Sequence, residues 1–213
     1  MTEIVEKNFA CSLRIGDKAP DFRARTTKGE ISLGQFSGRW VILFSHPADF
    51  TPVCTSEFIG LARAAERFAA MDCQLLGLSV DSLYAHIAWT RAIREAFDVE
   101  ISFPVIEDPS MAIAQAYGML DATAQDSAAV RASFFIDPQR VIRAIIWYPM
   151  TVGRSVEEML RLLAALQHTA GGDVLTPEGW QPGQAVLLPP VSSDEASAAG
   201  AAADWFCRAQ SSQ

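Results

Sequence analysis

Hydrophobic residues fall into two rhythms along this chain. Trp40, Val41, Ile42, Leu43 and Phe44 run without a polar break before Ser45. A run of that length predicts a strand buried on both faces. Residues 74–80 repeat the pattern and predict a second such strand. Between the two, Phe58, Leu61, Ala65 and Phe68 recur at helical spacing, which predicts a helix over 52–70. Pro52 suits its first position, where the missing N–H would have had no partner, and Thr51 is then the N-cap. Asp81 or Ser82 caps a further helix reaching Phe97, with Ile87, Ile93 and Phe97 as its inward positions.

The remaining pattern completes a layered domain. Residues 22–33 read as a hairpin, with Lys28 and Gly29 in the turn. Residues 103–106 form a short extended piece in which Pro104 implies an edge or a bend. Residues 110–117 form a short helix stopped by Gly118. Residues 133–136 and 141–148 flank a turn over 137–140 and make an antiparallel hairpin. Ser155 and Glu158 fit a capping box, so a helix runs to about residue 169 and ends at Gly171 and Gly172. Strands and helices alternate, then a hairpin and a helix follow. That order predicts an α/β fold with a central mixed sheet flanked by helices. From Asp173 onward the texture changes: Pro177, Pro182, Pro189 and Pro190 break regular structure, and 192–203 is rich in Ser and Ala. The expected division is a domain over 1–170 and a C-terminal extension over 171–213.

Composition narrows the function. Half of the 213 residues are apolar, enough for a sizeable core. A formal net charge of -8 argues against a nucleic-acid or anionic-membrane surface. No apolar run approaches the ~18 residues needed to cross a bilayer. Residues 1–20 show no basic segment followed by an apolar one, so a cytoplasmic protein is expected. The four cysteines, Cys11, Cys54, Cys73 and Cys207, form no C-x-x-C pair and no zinc-ligand spacing. There is no H-E-x-x-H, no Walker loop and no G-x-G-x-x-G, so neither a metal nor a cofactor is expected.

The chemistry points to one sulfur. Cys54 falls in the first turn of the 52–70 helix, where unpaired N–H groups face outward. The thiolate is the nucleophilic form, and a free cysteine titrates near ~8.5. Bringing such a group to ~6 takes about 3.4 kcal/mol of preference for the anion. A helix dipole supplies ~0.3–1 kcal/mol, and up to ~2 in partly buried geometries. The helix end therefore falls short, and a cation has to stand near the sulfur. Arg131 and Arg154, each at an element boundary, are the leading candidates. Cys73 and Cys11 carry no motif and read as structural. Cys207 sits beside Trp205 and Phe206, an aromatic pair with which a C-terminal arm could dock.

The segment Phe44 to Phe58, containing Pro47-x-x-x-Thr51-x-x-Cys54, resembles the active-site signature of the peroxiredoxins, in particular the one-cysteine subfamily and its archaeal-type relatives. The match continues through Leu78 to Ser82, His86 to Trp89, Phe103 to Val105, Arg131 to Pro138 and Tyr148 to Ser155. The resemblance implies a thioredoxin-like fold and a thiol-dependent peroxidase acting on hydrogen peroxide and small organic hydroperoxides. It makes Cys54 the attacking cysteine, with Thr51 bonding the peroxide, Pro47 shielding the sulfur and Arg131 stabilising the developing charge. His46, Glu57 and Arg154 are supporting groups around the pocket. By the same resemblance, Cys207 of a partner subunit resolves the sulfenic acid, or an external thiol such as a thioredoxin-like protein or glutathione does so. A homodimer or a ring of dimers is implied, with the C-terminal extension at the contacts. Two other functions remain in view. A thioredoxin-class exchange protein is disfavoured by the missing C-x-x-C. A chaperone-like or redox-sensing protein without important peroxidase turnover is the alternative.

Overall fold

The computed structural model describes residues 13–120, 130–190 and 206–211; Cys11, Asp204 and Trp205 lie outside them. The chain divides into two compact units, Met1–Val156 and Glu157–Gln213.

The first unit is built on a seven-stranded mixed sheet. Its strands are β1 (Arg23–Thr26), β2 (Gly29–Ser32), β3 (Trp40–Ser45), β4 (Cys73–Ser79), β5 (Val105–Glu107), β6 (Arg131–Ile136) and β7 (Ile142–Tyr148). Their order across the sheet is β2-β1-β5-β4-β3-β6-β7. β3 lies near the middle, parallel to β4 and antiparallel to β6. Every residue of β3 and β6 is buried, so both faces of the sheet are covered, as the unbroken apolar run required.

The two faces are packed by different helices. Leu43, Leu76, Leu78, Phe134 and Ile136 share one core cluster with Ile113, Ala114 and Tyr117, which belong to or follow α4 (Ala112–Ala116). Phe44 points to the opposite face, as its alternation with Leu43 dictates. There it meets Phe58 of α1 (Pro52–Arg63) and Phe103 at ring distances of 5.6 and 5.7 Å. Phe58 also packs on Trp89 of α3 (Leu83–Phe97) at 4.5 Å.

Three features depart from the sequence pattern. The helix expected over 52–70 breaks at Ala64 (φ -97°, ψ 0°) into α1 and α2 (Ala65–Ala70). No Pro or Gly marks residue 64, so periodicity could not locate the break. β5 is not an edge strand: it pairs with β1 on one side and β4 on the other. Pro104 is tolerated because it precedes the strand and contributes only its carbonyl, which accepts from the Gly77 N–H at 3.0 Å, an ordinary hydrogen-bond length. On α3, Ile93 is buried as expected, but Ile87 and Phe97 are exposed, and His86 and Trp89 occupy the inner face. His86 is accepted there because both ring nitrogens find partners, described below.

The second unit contains α5 (Val156–His168), most of which belongs to it, and a two-stranded sheet of β8 (Val186–Leu187) and β9 (Ala209–Gln210). Trp180 packs with Ala165 and Val186, and stacks on His168 at 5.0 Å. The β8–β9 pairing ties down the residues just after Cys207, a segment that sequence texture alone reads as a mobile arm.

Candidate active site

The antiparallel pairing of β3 with β6 builds the site. β3 ends at Ser45 where β6 begins, so Arg131 arrives beside the loop that follows β3. The Ser45 hydroxyl fastens this corner, donating to the Val130 carbonyl and accepting from the Ala132 N–H at 3.1 Å. The loop runs from His46 to Thr51 and enters α1 at Pro52. Cys54 is the third residue of that helix and is fully buried.

Arg131 reaches the sulfur. Its Nη1 donates to Cys54 Sγ at 3.3 Å and to Glu57 Oε2 at 2.7 Å, while its Nε donates to the Met150 carbonyl at 2.9 Å. Glu57 stands one helical turn after Cys54, on the same face. It is clamped by Arg154 as well, through the backbone N–H (2.7 Å), Nε (2.9 Å) and Nη2 (2.8 Å). Arg154 Nη1 donates to the Ala132 carbonyl at 2.9 Å, and its guanidinium lies 5.2 Å from the centre of the Phe44 ring. Burial alone would raise the Glu57 carboxyl, but the two guanidiniums outweigh it and hold Glu57 below the usual carboxylate range. Two cations and one anion leave the buried cluster one positive charge in excess.

Thr51 occupies the N-cap position in an extended conformation, but its hydroxyl does not cap the helix. It donates instead to the Ala48 carbonyl at 2.9 Å. The expected cap bond is therefore corrected: the hydroxyl's proton is used inside the loop, and its lone pairs remain for a donor. Pro47 is buried at the start of the same loop.

His46 is fully buried and sits among aromatic rings, 4.8 Å from Phe58 and 5.2 Å from Trp89. Its Nε2 meets Asp49 Oδ1 at 2.8 Å. The other carboxylate oxygen of Asp49 meets His86 Nδ1 at 2.7 Å, and His86 Nε2 meets the Ile106 carbonyl at 3.1 Å. Burial drives His46 below its ordinary value despite Asp49. Burial would raise Asp49, yet the bonds from the two histidines prevail and lower it. The ligating atoms of these three residues lie within 4.8 Å of one another, the one such convergence among the described residues, and the carboxylate is already engaged by both rings. Neither Asp49 nor His86 was given a role of its own in the sequence analysis. The His46-x-x-Asp49 spacing was the available signal.

Of the other cysteines, Cys73 is buried and its thiol is pushed up to about 12 by that burial, an inert environment. Cys207 is exposed in the second unit. The site residues Cys54, Glu57, Arg131 and Arg154 are thus brought into direct contact, with Thr51 and His46 on the adjoining loop.

A buried cysteine at a helix start, bonded by an arginine and without a C-x-x-C partner, belongs to the class of single-cysteine thiol redox sites. The comparisons with known proteins give the family. Residues 15–145 match the AhpC/TSA family, and residues 165–199 match the C-terminal domain of 1-Cys peroxiredoxin. A peroxiredoxin of Methanosarcina mazei is 50% identical over 189 residues, covering 85% of this chain and 86% of that protein. A solved structure of yeast mitochondrial 1-Cys peroxiredoxin is 40% identical with a TM-score of 0.83, covering 94% of this chain and 100% of the other. The reduced 2-Cys peroxiredoxin of Plasmodium vivax is 34% identical with a TM-score of 0.76, covering 85% and 94%. The chain belongs to the peroxiredoxin family, with a thioredoxin-like fold, and is a thiol peroxidase.

Proposed function

We propose that Cys54 attacks hydrogen peroxide and small organic hydroperoxides, with Arg131, Thr51 and Pro47 forming the immediate pocket. The observation that carries this reading is the 3.3 Å bond from Arg131 Nη1 to a sulfur buried in the first turn of α1. The thiolate attacks one peroxide oxygen. The S–O bond forms as the O–O bond breaks, and the leaving oxygen departs as water or an alcohol after taking a proton. Cys54 is left as a sulfenic acid. Arg131 stabilises both the thiolate and the charge that develops on the leaving oxygen. The Thr51 hydroxyl oxygen, whose own O–H donates to Ala48, accepts a hydrogen bond from the peroxide O–H, which orients the O–O bond. Glu57 holds the two guanidiniums, and Arg154 completes the clamp.

A thiol then condenses with the sulfenic acid and releases water, and a second thiol reduces the resulting disulfide. The yeast relative's thiol resolution runs through glutathione and thioredoxin systems. That supports an external thiol here, in the cytoplasm, where thiols are kept reduced. The exposure of Cys207 supports the other route, a Cys54–Cys207 disulfide with a partner subunit in a homodimer or a ring of dimers. One equivalent of peroxide, followed by non-reducing electrophoresis and mass spectrometry, separates the two. A Cys54–Cys207 crosslinked dimer establishes the two-cysteine route; an oxidised Cys54 with Cys207 still a thiol establishes the external one. Peroxide consumption by the Cys54→Ser protein at the wild-type rate would overturn the assignment of Cys54.

A further inference from the structure

The His46–Asp49–His86 group has a fixed proton inventory. A carbonyl only accepts, so the Ile106 contact places a proton on His86 Nε2. The 2.7 Å contact between His86 Nδ1 and Asp49 needs a second proton, and the 2.8 Å contact between His46 Nε2 and Asp49 needs a third. Three protons on one carboxylate and two imidazoles give a set with no net charge, which suits its burial. His46 is then held with its proton on Nε2, and its Nδ1 is buried without a partner.

These bonds join three separate parts of the first unit. Asp49 lies in the loop before α1, His86 on α3 and Ile106 on β5. The Asp49 N–H also donates to Asp81 Oδ2 at 3.0 Å, and Asp81 Oδ2 accepts from the Ser79 hydroxyl at 2.7 Å at the end of β4. The His46 N–H donates to the Leu78 carbonyl at 3.0 Å. The segment 46–51 is thus pinned at both its backbone and its side chains. Beyond it the chain passes directly into the turn that buries Cys54.

We propose that Asp49 and His86 are positioning residues: together they latch segment 46–51, and reaction with peroxide depends on that latch although its bonds run to His46 and Ile106 rather than to the sulfur. The proposal rests on Cys54 being the attacking residue. With the latch intact, Thr51 and the Cys54 turn are held at the geometry that Arg131 meets. With it broken, the turn opens more often, which exposes the sulfur and scatters that geometry.

The test compares two rates in Asp49→Asn, whose amide offers one donor too many to the two rings. Reaction with hydrogen peroxide is followed by stopped flow. Carbamidomethylation of Cys54 by iodoacetamide is followed by peptide mass spectrometry. The expected result is a fall of about tenfold to a hundredfold in the peroxide rate constant. Alkylation is expected to rise by about tenfold, because opening exposes the sulfur. A role in stability alone would lower the melting temperature and move neither rate. Both rates unchanged, or both falling together, would overturn the latch. Asp81→Ala removes the two bonds that Asp81 Oδ2 accepts, from the Asp49 N–H and from the Ser79 hydroxyl, and leaves the three-residue group itself intact; opposite shifts of smaller size are expected. It decides the matter by the same criteria if Asp49→Asn does not fold. Turnover by Cys54→Ser would instead overturn the underlying assignment of the sulfur, independently of these results.

Discussion

Replacing Arg131 with lysine tests the electrostatic argument while keeping the charge. The guanidinium of Arg131 directs Nη1 to both Cys54 Sγ (3.3 Å) and Glu57 Oε2 (2.7 Å), and Nε to the Met150 carbonyl (2.9 Å). A lysine ammonium is a compact point charge and cannot reproduce this fork across three acceptors. Glu57 is the stronger acceptor and offers the shorter contact, so the ammonium settles on it and the sulfur loses its donor. A hydrogen bond to a charged group contributes about 1.5–3 kcal/mol. If that contribution is lost at the sulfur, the second-order rate constant with peroxide falls by roughly 10- to 150-fold, at 1.36 kcal/mol per tenfold. The assay is stopped-flow consumption of hydrogen peroxide by the reduced protein at neutral pH, with circular dichroism to establish folding. A folded Arg131→Lys protein within about threefold of wild type would refute the claim that directional bonding, rather than charge alone, activates this sulfur.

Other outcomes follow from the same structure. Glu57 and Asp49 are depressed in the folded state, so each contributes stability above the unfolded carboxylate range that is lost as pH falls through the folded value. His46 is also depressed, so the unfolded chain takes up its proton first and stability begins to fall below about pH 6.5. Urea unfolding across pH should show this decline, steepening near pH 4; stability that increases from pH 7 to pH 5 would contradict it. Cys73, pushed up to about 12, should resist iodoacetamide at pH 8, and Cys73→Ala should keep peroxide turnover within about twofold of wild type. A Cβ at Gly77 would lie 3.2 Å from Phe58 Cζ and 3.3 Å from Phe44 Cζ. Gly77→Ala should therefore destabilise by about 1–3 kcal/mol, read as a lower melting temperature, and an unchanged melting temperature would show that the rings give way freely.

Much of the site was legible because its parts are local. The buried run Trp40 to Ser45, followed by a loop and Pro52, sets Cys54 in a first helical turn by sequence adjacency alone. The requirement for a cation came from magnitudes, since a helix dipole is too weak by itself. Motif resemblance then singled out Arg131 from the two candidates. The structure engages both, one on the sulfur and one on Glu57. The inward face of α3 was misread because Ile87 and Phe97 are apolar and His86 is polar. Burial of His86 depends on Asp49 and Ile106, which are 37 and 20 residues away in the chain. The break at Ala64 and the interior place of β5 were likewise hidden, for they follow from packing and strand order.

The amino-acid sequence by itself determined the element types, the buried central strands, the position of Cys54 at a helix start and the family to which the chain belongs. These depend on periodicity, turn chemistry and contiguous motifs, all of which act over a few residues. Only the tertiary structure decided that Glu57 is shared by two guanidiniums, that the Thr51 hydroxyl turns to Ala48, and that two histidines close on one carboxylate. Such bonds join elements far apart in the chain. Their formation depends on the sheet register that brings those elements together and on the exclusion of water that makes each buried polar group find a partner.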